Sequence, residues 1–244
     1  MDLKSIVQTG MRSKPPRIIL HGIHGIGKSS FGAGAYTPIF LQTEDGLTEI
    51  DVPHFPLATS YSQVIQYLDM IFNETHEYKT LVIDTLDWLE KLIWNKICED
   101  CNIKSPEDLG YGKAYTLAMR YWHEIILKLD TIRNKGIIIL LLSHNEIKPF
   151  NPPDGDSYDR YQIKLNKQAA TAIEEWADCV LFADFVTYTS KNKQGKIKAV
   201  GSGERVIKTS INPAWRTKTR YKLPDQMPLN FDNLIQEIKK SKNN

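Results

Sequence analysis

A chain of 244 residues is long enough for one large α/β domain with a sizeable buried core. Its composition, 41% hydrophobic and 25% charged with no low-complexity tract, excludes an intrinsically disordered chain. The longest apolar run, GIIILLLS at 136–143, is too short to span a bilayer, and residues 1–17 lack the apolar core of a signal peptide. We therefore expect a cytoplasmic protein that does not bind a membrane.

The first predicted elements surround a glycine-rich loop. Residues 17–21 (RIILH) form a short apolar strand, and residues 28–36 can form a helix. The loop that joins them matches the pattern G-x-x-x-x-G-K-[ST] at every fixed position, through Gly22, Ile23, His24, Gly25, Ile26, Gly27, Lys28 and Ser29. A strand, this loop and a helix in that order are the context of a phosphate-binding P-loop, because the loop amides converge on a phosphate at the start of the helix.

The P-loop predicts a site for ATP and Mg²⁺. Residues 22–30, which include Ser30, would bind the nucleotide. Lys28 would reach the β- and γ-phosphates, and the Ser29 hydroxyl would ligate Mg²⁺. Such a site also needs a carboxylate near the metal. Asp84, at the end of the apolar run TLVID, has the form of a Walker B aspartate that acts on Mg²⁺ through water.

Strands and helices alternate through the middle of the chain. Apolar residues at helical spacing predict helices over 62–75, 86–101 and 113–135. Strands are predicted at 38–43, 80–84 and 137–142, and the last two are apolar on both faces. Apolar strands that alternate with helices indicate a mostly parallel sheet covered on both sides.

The cysteines indicate no disulfide framework. Cys98, Cys101 and Cys179 are an odd set, which agrees with a reducing compartment. Cys98 and Cys101 form a C-x-x-C at the end of a predicted helix, but no second pair of ligands lies nearby in the sequence. This argues against a metal or redox role.

The last third of the chain differs from the rest in composition and in its predicted elements. The stretch 147–161 is rich in proline, glycine and aspartate and predicts neither a helix nor a central strand. A helix is predicted at 167–177. Shorter strands follow, joined in part by a lysine-rich turn around Gly195, and they are predicted at 178–186, 196–200 and 205–211. A small helix at 229–239 closes the fold.

Positive charge is concentrated in this part of the chain. The formal net charge is +2, yet residues 187–222 contain ten Lys or Arg and a single acid, Glu204. Such a segment is either a solvated hairpin or a surface for a polyanion, and the sequence leaves both open. We expect one domain over 1–244, with 1–16 as a short N-terminal extension and 225–244 as a C-terminal helix and basic tail.

A set of ordered stretches resembles a known family. They run from residue 22 to residue 224 and read GIHGIGKSS, IFLQTEDGL, TLVIDTLDWLE, DLGYGKAY, ILLLSHNEIKPFNPPDG, EEWADCVLF and NPAWRTKTRYKLP. Together they resemble the phage-encoded ATP-binding proteins with a RecA-like core, a group that includes the Sak-type single-strand annealing proteins. The resemblance implies a P-loop NTPase with a RecA-like, mostly parallel sheet flanked by helices and an antiparallel β extension near the C-terminus.

The resemblance also assigns roles at the nucleotide site. RecA-type ATPases keep a catalytic glutamate at the end of the strand after the P-loop helix, and Glu44, next to Asp45, matches that position. Their polar sensor of the γ-phosphate matches Ser143 and His144. The resemblance thus implies a catalytic set that consists of Lys28, Glu44, Asp84 and His144.

Two binding surfaces are implied in the same way. Residues 145–165 fall where RecA-like proteins place a DNA-contacting loop. Basic groups for phosphates and rings for base stacking occur there, at Lys148, Phe150, Tyr158, Arg160, Tyr161 and Lys164. The alternative is a surface loop whose rings pack on the core. Lys218 and Arg220 would lie on one face of a strand and match a basic pair that reaches the ATP of a neighbouring subunit.

The sequence and the resemblance predict an ATP- and Mg²⁺-dependent ATPase that binds single-stranded DNA and promotes annealing or homologous recombination in phage DNA metabolism. Turnover would be weak and would depend on DNA and on self-assembly into a ring or filament. Further expected partners are a single-strand-binding protein or a helicase, in the host cytoplasm.

Three alternatives remain open. They are a helicase-loader-type ATPase that acts on a protein partner, a nucleotide sensor with little turnover, and a P-loop small-molecule kinase. The kinase is disfavoured because residues 40–132 contain one arginine, Arg120, and so no arginine-rich lid.

Overall fold

The chain folds around a mixed β-sheet. The structure is a computed structural model that describes residues 6–7, 9, 14–110, 112–191 and 197–243. It describes their side chains as well, except those of 188–191, 197–202 and 243. Within these residues the strands are β1 (Arg17–Gly22), β2 (Pro38–Gln42), β3 (Thr80–Asp84), β4 (Ile138–Phe150), β5 (Tyr158–Ile163), β6 (Cys179–Lys191), β7 (Ile197–Lys208), β8 (Lys218–Thr219) and β9 (Gln226–Pro228). The helices are α1 (Lys28–Ala33), α2 (Tyr61–Asn73), α3 (Leu86–Cys101), α4 (Lys113–Asn134), α5 (Lys167–Trp176) and α6 (Phe231–Asn243), and a 3-10 turn spans Pro106–Leu109.

The main path of the sheet has the order β2-β3-β4-β1-β6-β7-β9. The pairs from β2 to β6 are parallel, whereas β7 pairs with β6 and β9 pairs with β7 in antiparallel fashion. Off this path, β5 pairs with β4 and β8 pairs with β6, both antiparallel. The predicted fold class is confirmed: a mostly parallel sheet flanked by helices, with an antiparallel part near the C-terminus.

Both faces of the parallel strands are buried, which explains why these strands are apolar throughout. Ile19, Leu81 and Ile139 pack with α2, α3, α4 and α5 in one core cluster. Their neighbours in the strands, which include Ile18 and Val82, pack with α1 and α6 in a second cluster on the opposite face. Successive strand residues point to opposite faces, so an unbroken apolar run fills both clusters.

The strand order positions the candidate site. β1 lies between β4 and β6, and β4 separates it from β3. Because these strands are parallel, their carboxyl ends meet at one edge of the sheet. The glycine loop after β1, Asp84 at the end of β3 and His144 in β4 therefore come together, although they are far apart in sequence.

The structure differs from the sequence prediction in the segment 145–165. Instead of the loop that the resemblance implied, β4 continues to Phe150 and pairs with β5 as a hairpin. The hairpin lies off the main path of the sheet, which agrees with the prediction that 147–161 contains neither a helix nor a central strand. Pro149 fits in this strand because β4 pairs here with β5 alone, and a proline without an N–H is tolerated where one strand edge is free.

The predicted helices agree with the structure to within a few residues at each end. The longest departure is at the C-terminus, where the predicted helix 229–239 is α6, Phe231–Asn243. Most of the N-terminal extension, the turn around Gly195 and residue 244 lie outside the described residues. The division of the chain into a single domain stays a prediction.

Candidate nucleotide-binding site

The glycine loop has the conformation that its motif requires. Gly27 is the N-cap residue of α1 and has φ 102°, a left-handed conformation that favours glycine. A Cβ on Gly22 would lie 2.7 Å from the carbonyl oxygen of Ala183 in β6, so a side chain is excluded there. The residue pattern therefore follows from backbone geometry, and the loop presents the start of α1 to the cavity.

Lys28 lies inside this loop. Its side chain is buried, and Nζ donates hydrogen bonds to the carbonyl oxygens of Gly22, at 3.1 Å, and Ile23, at 3.0 Å. Burial lowers the pKa of Lys28, and the nearby carboxylates of Asp84, Asp87 and Glu44 partly oppose that shift. The hydrogen bonds thus hold the ammonium inside the glycine loop, beside the cavity that Lys28 lines.

Ser29 and Asp84, the two residues predicted to hold Mg²⁺, lie in direct contact. The Ser29 hydroxyl donates a hydrogen bond of 2.6 Å to Oδ2 of Asp84, and the Asp84 side chain is buried. Burial raises the pKa of Asp84, and the Ser29 hydrogen bond counteracts part of the rise. A hydroxyl and a carboxylate in contact are hard oxygen ligands, so these residues fit Mg²⁺, which would neutralise phosphate charge when bound.

Glu44 reaches the same cavity from the end of β2. The Thr85 hydroxyl donates to its Oε2 at 3.2 Å, and the Glu44 amide donates to the carbonyl oxygen of Asp84 at 3.2 Å. Asp45 is exposed and does not line the cavity. Of the two neighbouring acids, Glu44 is the one that the backbone and Thr85 hold beside the glycine loop.

His144 lies beside Glu44 on the wall of the cavity. Its buried ring stacks on that of His24, with 3.7 Å between the ring centroids. Nδ1 of His144 is 3.9 Å from Oε2 of Glu44. Ser143, its predicted companion, donates its hydroxyl to the carbonyl oxygen of His144 and does not line the cavity.

Sequence reasoning missed Asp87, which anchors His144. Oδ1 of Asp87 accepts the His144 amide at 3.1 Å, and Oδ2 lies 3.0 Å from Nδ1 of the ring. Burial raises the pKa of Asp87, but the hydrogen bonds from the ring and amide of His144 outweigh it and lower the pKa to about 2. The available signal was an acid in the first turn of a helix that directly follows Asp84.

Arg205 in β7 was also missed. Together with Gly27 and Lys28 it lines a cavity of about 420 Å³. A Cβ on Gly27 would lie 2.8 Å from Nη1 of Arg205, so the guanidinium lies directly over the glycine loop. Arg205 belongs to the basic segment 187–222, but nothing in the sequence distinguishes it from the other basic residues there.

The cavity therefore combines two cationic side chains, Lys28 and Arg205, with three oxygen-bearing ones. Ser29 and Asp84 provide oxygens of the kind that bind Mg²⁺, and Glu44 provides a further carboxylate. His24, Gly25, Gly27, Lys28, Ser29 and Ser30 of the predicted nucleotide-binding stretch line it, together with Glu44, Asp84 and His144. These predicted residues are brought together. Their roles in binding and catalysis stay predictions.

The residues predicted to contact DNA fall into different environments. Phe150 and Tyr158 face each other across the hairpin, with 5.4 Å between ring centroids, and the Arg160 guanidinium lies 4.0 Å from the Phe150 centroid. Lys148 is exposed and pairs with Glu146 at 2.6 Å. Tyr161 instead stacks on Phe182.

Lys164 and Lys148 line a second, larger cavity of about 670 Å³. Trp94 and Tyr115 lie on its wall in edge-to-face contact, with 5.6 Å between ring centroids. This cavity touches the nucleotide site through Asp87, which lines it.

Lys218 and Arg220 lie at the other end of β6, where β8 pairs with Cys179 and Val180. Nζ of Lys218 donates to the carbonyl oxygens at the end of α5, those of Glu174, Glu175 and Ala177, at 2.8–2.9 Å. Arg220 donates to Asp178 at 3.2 Å, and its side chain is 53% exposed. All three Nζ protons of Lys218 are therefore donated in hydrogen bonds within the chain, whereas the guanidinium of Arg220 stays exposed.

Cys98 and Cys101 are free thiols in the last turns of α3. In the part of the chain that the structure describes, they belong to no cluster of three metal-ligating side chains. No described helix combines the length and apolarity needed to cross a lipid bilayer.

The fold and this site define a P-loop nucleotide-binding protein of the ATPase type. Residues 14–221 match the AAA domain family AAA_24, and the chain belongs to that family. A relative, the SPbeta prophage-derived uncharacterized protein YorG of Bacillus subtilis, is 24% identical over 219 residues. The match covers 88% of this chain but 59% of YorG, so this chain spans less than two thirds of that relative's length.

Two solved structures were also matched. The flagellar accessory protein FlaH of Methanocaldococcus jannaschii is 12% identical with a TM-score of 0.37, and the match covers 80% of this chain and 77% of FlaH. The KaiC-like protein PH0186 of Pyrococcus horikoshii is 14% identical with a TM-score of 0.42, and the match covers 88% and 85%.

Proposed function

We propose that this chain is an ATP- and Mg²⁺-dependent, single-stranded-DNA-binding ATPase that promotes strand annealing or recombination in phage DNA metabolism. The observation that carries the proposal is the path of β4, which bears His144 in the nucleotide cavity and then Lys148 and Phe150 in the hairpin. At the rise of an extended strand, Phe150 lies about 20 Å beyond His144. One rigid element thus connects the nucleotide site to the surface predicted to contact DNA.

The hairpin has the groups that a single-strand binder uses. Phe150, Tyr158 and Arg160 form a half-buried cluster of two rings and a guanidinium, beside the exposed ammonium of Lys148. Rings stack on bases of any sequence, and cations bind the backbone phosphates. This chemistry favours single strands over duplexes, whose bases are already stacked.

The larger cavity supports the same proposal. It lies at the base of the hairpin and is large enough for a nucleotide-sized group. Lys148, Lys164, Trp94 and Tyr115 line it, together with the acids Glu90, Glu107 and Glu146. Asp87 separates it from the nucleotide site, where it holds His144. A movement of His144 towards a bound γ-phosphate would pull on its hydrogen bond to Asp87 and so shift Asp87, which lines the larger cavity.

Hydrolysis would use the residues that surround the glycine loop. Ser29 and Asp84 would hold Mg²⁺, and Lys28 would bind the phosphates. Glu44, oriented by Thr85, would accept a proton from the attacking water. We propose that the chain acts as a homo-oligomer with Arg220 as a trans-acting group, which makes turnover by the isolated chain weak.

The test measures DNA binding and hydrolysis together. Fluorescence anisotropy with a labelled single-stranded oligonucleotide should show weaker binding for Phe150→Ala and Lys148→Ala. Phe72→Ala and Lys240→Ala are matched controls, since Phe72 is also a partly exposed ring in contact with a cation, at 4.2 Å from Lys135, and Lys240 is also an exposed lysine paired with a glutamate at 2.6 Å.

ATP hydrolysis is then measured with and without single-stranded DNA, with Lys28→Ala as the blank and duplex DNA as the competitor. Stimulation by single strands, abolished by Glu44→Gln, is the expected result. Nucleotide binding with neither DNA binding nor stimulation would overturn the proposal and favour the helicase-loader type. An unchanged low turnover in Glu44→Gln would favour a nucleotide sensor.

A further inference from the structure

We propose that His24, Glu44 and His144 form a binding site for a divalent transition metal ion, of the Zn²⁺ class, in the nucleotide-free protein. One ligand atom from each of these residues lies within 4.8 Å of the others. Across the residues that the structure describes, no second group of three His, Cys, Asp or Glu side chains has this spacing. The cluster lies on the wall of the nucleotide cavity, beside the glycine loop.

The ligand types determine which metal the site takes. Two imidazoles and one carboxylate suit Zn²⁺, which often binds three protein ligands and leaves its fourth position to water. Mg²⁺ prefers oxygen ligands and keeps several waters, so it fits Ser29 and Asp84 better than this cluster. The nucleotide cavity thus contains two chemically distinct cation sites.

Asp87 provides an independent reason. Zinc-binding histidines almost always donate their other ring N–H to a carboxylate or carbonyl group, which fixes the tautomer. Oδ2 of Asp87 lies 3.0 Å from Nδ1 of His144, so a proton on Nδ1 leaves the lone pair on Nε2. This buried carboxylate–histidine pair is the arrangement that supports a metal ligand.

His24 completes the site from the glycine loop. Its ring is stacked on that of His144, and in that arrangement the in-plane lone pairs of the two rings do not point at one ion. The His24 side chain is exposed, and its rotation on metal binding would direct a ring nitrogen towards the ion.

The metal and the nucleotide would exclude each other. Glu44 and His144 are the predicted catalytic glutamate and phosphate sensor, and His24 is part of the loop that would enclose the phosphates. An ion held by all three would occupy the position of the terminal phosphate and draw Glu44 away from water. Zn²⁺ binding would therefore hold the protein in a state that neither binds nor cleaves ATP.

The test uses Co²⁺ as a spectroscopic substitute, titrated into the nucleotide-free full chain. The expected result is a visible d–d absorption that Zn²⁺ displaces and that Mg²⁺-ATP abolishes. His24→Ala should weaken Co²⁺ binding by at least tenfold, and Asp87→Asn by about 10–100-fold. His54→Ala, which removes an exposed histidine outside the cavity, should leave it unchanged.

A double variant, Cys98→Ser with Cys101→Ser, separates this site from the C-x-x-C pair. Loss of the Co²⁺ signal in that variant, thiolate charge-transfer bands, or unchanged affinity in His24→Ala would each overturn the proposal. The Co²⁺ titration contains neither DNA nor a hydrolysis step, so its outcome does not depend on the function proposed above; only the competition with Mg²⁺-ATP rests on the proposed nucleotide binding.

Discussion

The carboxylate of Asp87 and the imidazole of His144 form a buried pair in which Oδ2 lies 3.0 Å from Nδ1, and the same carboxylate accepts the His144 amide at 3.1 Å. Asp87 is in the first turn of α3, and His144 is in β4. The pair therefore joins the helix that follows Asp84 to the strand that carries the predicted phosphate sensor. It fixes the position of the ring at the cavity wall.

The Asp87–His144 pair makes the free energy of unfolding depend on pH in the acidic range. The pKa of Asp87 is about 2 in the folded protein, against an ordinary value of 3.8, so the ionised carboxylate stabilises the fold above about pH 4. That contribution, on the order of 2 kcal/mol, is lost as the pH falls from about 4 towards 2. Urea unfolding between pH 7 and pH 2.5 should show a weaker pH dependence for Asp87→Asn than for the wild type.

Asp69→Asn is the control for this measurement, because Asp69 is an exposed partner of Lys128 on the protein surface. Its pH dependence should follow that of the wild type. Parallel curves for the wild type and Asp87→Asn would show that the His144 pair does not stabilise the fold.

Lys28→Ala should abolish most nucleotide binding. An ammonium bound to phosphate contributes roughly 1.5–3 kcal/mol, which corresponds to a decrease in ATP affinity of about 10–150-fold. Titration with a fluorescent ATP analogue measures the effect. Lys240→Ala should bind as the wild type does, and a thermal melt should confirm that Lys28→Ala is folded, since Lys28 also bonds Gly22 and Ile23.

Arg205→Ala should also weaken ATP binding, although Arg205 lies outside the glycine motif. Its guanidinium lies over Gly27 and can donate to phosphate oxygens, so its loss should cost about tenfold, or roughly 1.4 kcal/mol. Arg205→Lys should recover part of the affinity because it keeps the charge. Lys222 is an exposed basic residue of the same segment. Lys222→Ala therefore tests whether the loss of ATP affinity reflects only the change in net charge.

We expect substitution of Lys218 to affect stability and substitution of Arg220 to affect turnover. Lys218→Ala removes three hydrogen bonds to the end of α5 and should lower the free energy of unfolding by about 1–3 kcal/mol. Arg220 is half exposed, so Arg220→Ala should change stability little, but it should reduce turnover if the residue acts on a neighbouring subunit.

Mixed assemblies test that role of Arg220 directly. Lys28→Ala subunits keep Arg220 but should bind ATP only weakly, and Arg220→Ala subunits keep an intact glycine loop. Each variant alone should be inactive, and mixing them should restore part of the activity. If the mixture stays inactive while Arg220→Ala still assembles, Arg220 does not act between subunits.

Local pattern was enough to predict most of the fold. The period of apolar residues located the helices, including Leu86–Cys101 at its observed bounds, and the two-sided apolar strands indicated a covered parallel sheet. The resemblance implied a loop after His144, and the prolines of that segment disfavour a helix or a central strand. It forms a hairpin because β4 pairs there with β5 alone, a condition that depends on sheet position and not on local sequence.

For the site, the sequence by itself determined the glycine loop, because backbone geometry requires its glycines and the residues are contiguous from Gly22 to Ser29. Only the tertiary structure decided which distant groups face that loop. Asp87 and His144 are 57 positions apart, and Arg205 comes from a strand on the far side of β6. Their selection depends on strand order and on side-chain contacts across the sheet edge, which no local pattern encodes.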